Sequence, residues 1–231
     1  MSKSRLVVIV DALRVDTAAQ IVMPSLSGAT LGEARSFGTW TKPAFAAISS
    51  LMAKSEGVRI VMTGGGWPQK IEWRGVAFVT VSLSPCINDL EFVASYAGCE
   101  NCLLVLHDFH VHQYFIEYPG YAPSEQNKKD KDRFWSAYTR RAREVAPRLE
   151  TVLQRFDGWD RYVTADHSEL FWEDGKSFHH GKPAEGNEGE VRRVPLIRIG
   201  DAPELAYDDL FSLGGAQADT EQRLRALGYI D

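Results

Sequence analysis

Cysteine is scarce in this chain of 231 residues, which carries Cys86, Cys99 and Cys102 and no other. Three cysteines exclude a disulfide framework as the source of stability. Cys99-Glu100-Asn101-Cys102 has the spacing of a redox or zinc pair, but no second Cys pair completes a structural zinc site. That spacing reads as chance, with a labile disulfide as the minor alternative. Long apolar runs are lacking too, and none is long enough to span a bilayer. Nor is there an excess of positive charge. Against 31 Asp and Glu stand 26 Lys and Arg, and the net charge of −5 gives no general attraction to nucleic acid or an anionic membrane. Neither is expected as a partner. Internal repeats and low-complexity tracts are missing. Gly64-Gly65-Gly66-Trp67-Pro68 lacks the Gly-Lys-Ser/Thr ending of a phosphate loop and reads as a turn.

What is present suits an α/β core. A hydrophobic content of 44% over this length is enough for one domain spanning residues 1–231. Short apolar, β-branched runs predict strands at 5–10, 58–62, 76–82, 102–107, 160–165 and 194–199. Helices are expected at 43–54, 88–97, about 128–157 and about 218–227. Strands alternating with helices argue for a mostly parallel sheet covered on both faces. In 128–157, Phe134, Tyr138, Val145, Leu149 and Val152 recur at helical spacing and form a core face. Pro147 predicts a kink or break near residue 146. The first apolar run is too short for a signal peptide, so the expected location is cytoplasmic.

The chemistry lies where strands end, the place at which open α/β sheets bind their ligands. The first strand, Arg5 to Val10, runs into Asp11. Asp16, a little further on, is expected to cap the segment from Thr17. Leu103-Leu104-Val105-Leu106 runs into His107-Asp108-Phe109-His110-Val111-His112, and Tyr162-Val163-Thr164-Ala165 into Asp166-His167-Ser168-Glu169. Asp and His together suit a divalent transition metal. Thr41-Lys42-Pro43 opens a helix with proline in its first turn, where backbone N–H groups and the dipole favour an anion. Thr41 is either a cap or a nucleophile activated by a metal. The stretch 114–130, rich in Tyr and Pro, is either a mobile wall over the site or a solvated connection. Residues 171–190 return His180 to the site.

In this order the segments resemble the alkaline phosphatase superfamily, in its sulfatase-like and phosphodiesterase-like branch. The matching pieces are Asp11-Ala12-Leu13-Arg14-Val15-Asp16, Thr41-Lys42-Pro43-Ala44, Asp108 to His112, Thr164 to Glu169, and His180-Gly181 leading to Arg193-Val194-Pro195. The closing Leu224 to Ile230 is similar to the tail of many sulfatase-like proteins. The resemblance implies an alkaline phosphatase-like three-layer α/β/α sandwich with a mostly parallel central sheet, lacking most of the C-terminal subdomain of larger relatives. It implies that Asp11, Thr41, Asp166 and His167 hold a metal at the nucleophile. Asp108, His112 and His180 match the second site of two-metal members. In the one-metal branch Asp108-Phe109-His110 fits equally, and His110 and His180 contact substrate instead. One or two divalent ions are therefore implied, zinc or manganese rather than calcium. Lys42 and His110 are the candidate substrate contacts.

The departures narrow the chemistry. Sulfatases of this kind carry a Cys or Ser matured to formylglycine within Cys/Ser-x-Pro-Ser-Arg. Here Thr41 holds the nucleophile position and Phe45 that of the Arg, which disfavours sulfate esters. Ser168 in place of the usual Gly is neutral. The expected activity is metal-dependent hydrolysis of a small phosphoric mono- or diester through phospho-Thr41. The alternatives are a sulfatase-like hydrolase, a phosphoryl transferase, or a protein that binds metal or a phosphorylated ligand without turnover. A homo-oligomer, closing an otherwise open site, is a further expectation.

Overall fold

The computed structural model describes residues 3–64, 67–80, 90–117, 125–173, 175 and 188–213. The strands are β1 (Arg5–Val10), β2 (Ala29–Arg35), β3 (Val58–Thr63), β4 (Ala77–Thr80), β5 (Cys102–Asp108), β6 (Asp160–Thr164) and β7 (Arg193–Ile199). They form one sheet in the order β2-β7-β6-β1-β5-β3-β4. The helices are α1 (Val15–Thr17), α2 (Thr41–Met52), α3 (Leu90–Ala94), α4 (Lys131–Arg155) and α5 (Glu188–Arg192).

The central position of β1 follows from its composition. Side chains alternate between the two faces of a strand, yet all six residues of β1 are buried, so both faces of the sheet are covered. The same holds for β5. Burying each Val, Leu or Ile of these strands contributes roughly 1.5–3 kcal/mol against leaving it in water. β1 pairs in parallel with β5 on one side and β6 on the other. Because β5 and β6 lie far apart in sequence, the strand order switches direction at β1. The crevice beyond its carboxyl end is thus a natural binding position.

The sheet is mixed. β1, β3, β4, β5 and β6 are parallel, whereas β7 runs antiparallel to both β6 and β2. Every expected strand is found, and β2 adds one that was not expected. It is an edge strand with mostly exposed or half-exposed residues and Gly32 at its middle, so it shows no apolar run. Of the kink or break expected in the long helix, the break is corrected. α4 runs unbroken through Pro147, whose missing N–H costs one intrahelical bond. Ten of its residues are buried in a stripe from Phe134 to Leu153, and that burial outweighs the local defect. Asp16 is also corrected as a cap: Arg14 holds that position, while Asp16 Oδ1 accepts the Thr17 N–H at 2.7 Å from within α1. The expected helix at 218–227, Cys86 and most of 176–190 lie outside the described residues, as do Tyr118 and Tyr121. No helix among the described residues is long and apolar enough to cross a membrane.

Candidate metal centre

Asp11 follows β1 directly. The next residue, Ala12, has φ +62, a left-handed conformation that costs a non-glycine residue of order 1 kcal/mol. Its surroundings hold it there. Ala12 N–H donates to Asp166 Oδ1 at 3.4 Å, and its carbonyl accepts from Tyr138 Oη on α4 at 2.9 Å. Tyr138 Oη also accepts the Arg14 N–H at 2.9 Å. The Arg14 guanidinium bonds both oxygens of Asp16, the Glu169 carbonyl at 3.0 Å and the Glu173 carboxylate. It lies over the Trp135 ring, 5.2 Å from the centroid. Arg14 thus ties the exit of β1 to the segment after β6.

That fastening brings Asp166 and His167 to Asp11. Ligand atoms of the three lie within 4.8 Å of one another, the one such group among the described residues. His167 Nε2 is 3.2 Å from Asp11 Oδ1 and 3.6 Å from Asp166 Oδ2. Its Nδ1 lies 2.9 Å from the Ser168 carbonyl and must carry a hydrogen to bond there. Nε2 is therefore the atom that faces the carboxylates, holding a proton in the metal-free protein and offering its lone pair when a cation takes that proton's place. Thr41 is the first residue of α2, after the extended Trp40 in the cap position. It is therefore not the helix cap. Its Oγ1 lies 3.3 Å from Asp11 Oδ2 and 3.4 Å from His167 Nε2. Gly38 makes the approach possible, since a Cβ there would meet Ala44 N and Pro43 Cγ at 2.8 Å.

The electrostatics call for a cation. Asp11 and Thr41 are only 3% exposed, and Asp166 and His167 are fully buried. Burial opposes ionisation of Asp11, but His112, His107 and His167 hold its carboxyl well below the usual range. For Asp166, burial and the neighbouring Asp11 push the carboxyl up. Burial disfavours a charged His167, yet Asp166 and Asp11 outweigh it and push the imidazole up to about 10. Among the described residues, Asp11 Oδ1 and Asp166 Oδ2 are buried with no hydrogen-bond donor. Each such oxygen costs about 1–3 kcal/mol, and more when charged. A divalent cation would satisfy both oxygens and the Nε2 lone pair at once, so the donor set fits zinc or manganese.

The other candidates are placed differently. Asp108 ends β5, and its Oδ1 accepts the His110 N–H at 3.0 Å while Oδ2 is buried without a donor. Burial pushes this carboxyl up to about 7. His110 turns to α4, with Nε2 2.7 Å from Glu144 Oε2. His112 lies 3.9 Å from both Asp11 Oδ1 and Glu169 Oε2. The described residues hold no second three-ligand group, and His180 lies outside them. Lys42 is exposed on the first turn of α2. Sequence reasoning gave His107 no individual role, yet its Nε2 lies 3.1 Å from Asp11 Oδ2. Only the strand register reveals that contact. Phe45 is buried edge-on against His107 with centroids 4.7 Å apart.

No protein-family model and no curated protein sequence matches the chain. Solved structures do. The soluble domain of lipooligosaccharide phosphoethanolamine transferase A from Neisseria meningitidis matches with a TM-score of 0.64 at 14% identity, over 91% of this chain and 86% of that one. A 2-O GAG sulfatase matches with a TM-score of 0.64 at 12% identity, over 94% and 72%. The C-terminal periplasmic domain of EptC from Escherichia coli, in complex with zinc, matches with a TM-score of 0.57 at 11% identity, over 86% and 73%. Likeness at these identities establishes the fold. The chain has the alkaline phosphatase-like, sulfatase-like α/β fold, and at the ends of its central strands lies a buried Asp-Asp-His cluster with a threonine hydroxyl beside it.

Proposed function

We propose that the protein is a metal-dependent hydrolase of small phosphoric esters, with Thr41 as nucleophile. The observation that carries this is the Thr41 hydroxyl, buried within 3.4 Å of both Asp11 and His167. A structural threonine at the start of a helix has no need of two such neighbours. Asp11, Asp166 and His167 would hold a divalent cation, which when bound supplies Lewis acidity and lowers the pKa of a neighbouring hydroxyl. The Thr41 proton is directed at Asp11 Oδ2. Thr41 Oγ1 forms a bond to phosphorus as the ester P–O bond breaks, and the leaving oxygen takes a proton from solvent and departs as the alcohol. Water then cleaves phospho-Thr41 and releases phosphate or a phosphomonoester. The first-turn N–H groups of α2 and the Lys42 ammonium meet charge on the non-bridging oxygens. Threonine, which the formylglycine system does not mature, supports phosphoryl over sulfuryl chemistry.

Transfer of the phosphoryl group to an alcohol instead of water is the second reading, favoured by the likeness to phosphoethanolamine transferases. Metal-free protein resupplied with zinc or manganese is assayed on aryl phosphodiester, phosphomonoester and sulfate ester substrates, beside Thr41→Ala. The expected result is phosphate-ester turnover that needs both the metal and Thr41, with an added alcohol revealing any transfer. Sulfate-ester turnover alone, or none with metal tightly bound, would sink the proposal.

A further inference from the structure

We infer that His107 is a positioning residue for the metal centre: locked by Thr63, its imidazole occupies one oxygen of the Asp11 carboxylate and thereby turns the other toward the cation. The inference rests on the metal-centre reading above.

The argument starts from register. Thr63 pairs with His107 between β3 and β5, and His107 pairs with Ile9 between β5 and β1. Side chains at paired positions share a face, and Asp11 lies two residues beyond Ile9, on that same face. Three adjacent strand ends therefore carry a hydrogen-bonded line. Thr63 Oγ1 is 2.9 Å from His107 Nδ1, and His107 Nε2 is 3.1 Å from Asp11 Oδ2.

The chemistry of the partners sets the direction of each bond. An ionised carboxylate only accepts, so His107 Nε2 must carry the hydrogen in that contact. In the neutral imidazole Nδ1 is then the acceptor and the Thr63 hydroxyl the donor. That fixes tautomer and ring plane together, the task outer-shell partners perform at metal sites. Packing removes the remaining freedom. Thr63 is fully buried and His107 is 1% exposed. Phe45 stands edge-on to the ring at 4.7 Å between centroids, and Phe109 stacks at 6.2 Å with an interplanar angle of 18°.

The consequence falls on Asp11. Its Oδ2 receives His107 and the Thr41 hydroxyl, while Oδ1 faces His167 Nε2 at 3.2 Å, on the side where the cation would sit. Without His107 the carboxylate is free to rotate or to turn both oxygens inward, and the oxygen meant for the cation is no longer held in place.

Zinc affinity of the full chain, stripped of metal, is measured by competition with a chromophoric chelator, together with the visible spectrum of the cobalt-loaded form. Thr63→Val keeps the shape of the side chain and should weaken zinc binding by ~10-fold, and His107→Leu by ~100-fold. Both should shift the cobalt bands, and His107→Gln, whose amide can donate to Asp11, should recover part of the loss. Unfolding midpoints of the metal-free proteins report whether each variant folds. Should His107→Leu fail to fold, Thr63→Val decides. Wild-type affinity and spectrum in Thr63→Val and in any folded His107 variant would overturn the inference, leaving the ring as packing. Loss in His107→Leu equal to that in Asp166→Ala, with Thr63→Val unchanged, would make His107 a ligand and overturn it likewise. No zinc or cobalt binding by the wild type would remove the metal-centre reading itself.

Discussion

The two neighbours of β1 end in opposite ways. On the β6 side, Asp166 and His167 come just past the strand, after Ala165, and converge with Asp11 and Thr41 on one point. On the β5 side the chain bends into a 3-10 turn over His112–Glu117, and the polar groups scatter. Asp108 takes a backbone N–H, His110 reaches Glu144 on α4, and His112 leans toward Asp11 and Glu169. Candidate ligands that converge on the end of the central strand are fixed by its pairing with both neighbours. His110 and His112, carried by the turn after β5, are fixed only by what packs on that turn. The first centre is therefore built into the fold, and the second is assembled in part at most among the described residues.

The contrast breaks most directly through the ligands. Asp166→Ala is expected to weaken zinc binding by on the order of 10³-fold, because it leaves His167 and Asp11 without their third partner. Asp108→Ala in the same calorimetric titration should cost less than about 10-fold. Equal losses would show that the two sides form one site and end the comparison. Thr41→Ala should lower turnover by on the order of 10³-fold or more while zinc still binds.

The metal-free protein should also feel pH differently on the two sides. His167 is a base raised in the folded state, to about 10. Its contribution is fully present below the unfolded value of about 6.5 and is lost as pH rises through the folded one. Asp108 is an acid raised to about 7, so the folded state favours its protonated form. Stability from that preference is present below about pH 4 and is lost as pH rises toward 7. Two successive declines in the unfolding midpoint are expected, each of at least about 3 °C. Asp108→Asn should shrink the first, to which Asp166, likewise raised, also contributes. Zinc should remove the second, since it takes the place of the proton on His167. A single decline abolished by Asp108→Asn would mean that the β6 side carries no such charge coupling.

Much of this was legible in the residues, because fully buried strands write themselves as apolar runs. β1 and β5 are uninterrupted, and their ends announce Asp11 and Asp108. β2 was not legible, for it is held by pairing with β7 at an edge and not by burial of its own side chains. Adjacency of Asp166 and His167 was a sequence fact, but their meeting with Asp11 depends on β1 pairing with β6. The role of His107 needs the register Ile9↔His107, which no local pattern encodes. Pro147 misled because propensity counts a lost hydrogen bond but not the ten buried residues that hold α4 together.

The smallest effect expected is at His110, and it bears on whether the β5 side serves the substrate. His110 Nε2 and Glu144 Oε2 are 2.7 Å apart, with the Glu144 side chain 44% exposed, so the pair contributes about 1 kcal/mol or less. Arg141 Nη1 also donates to the His110 carbonyl at 3.3 Å, which holds the backbone whatever the side chain does. Glu144→Gln should therefore leave zinc affinity within about twofold and the unfolding midpoint within about 2 °C. His110→Ala should do the same to zinc affinity, because His110 is not among the three clustered candidate ligands. Its effect on steady-state kinetics separates the two expected patterns, Asp108 with His112 or Asp108-Phe109-His110 with His110 on the substrate. A rise in KM of about 10-fold or more at unchanged kcat places His110 on the substrate and joins the β5 side to the catalytic cleft. An unchanged KM leaves it a strut between β5 and α4, and catalysis then belongs to the β6 side of β1.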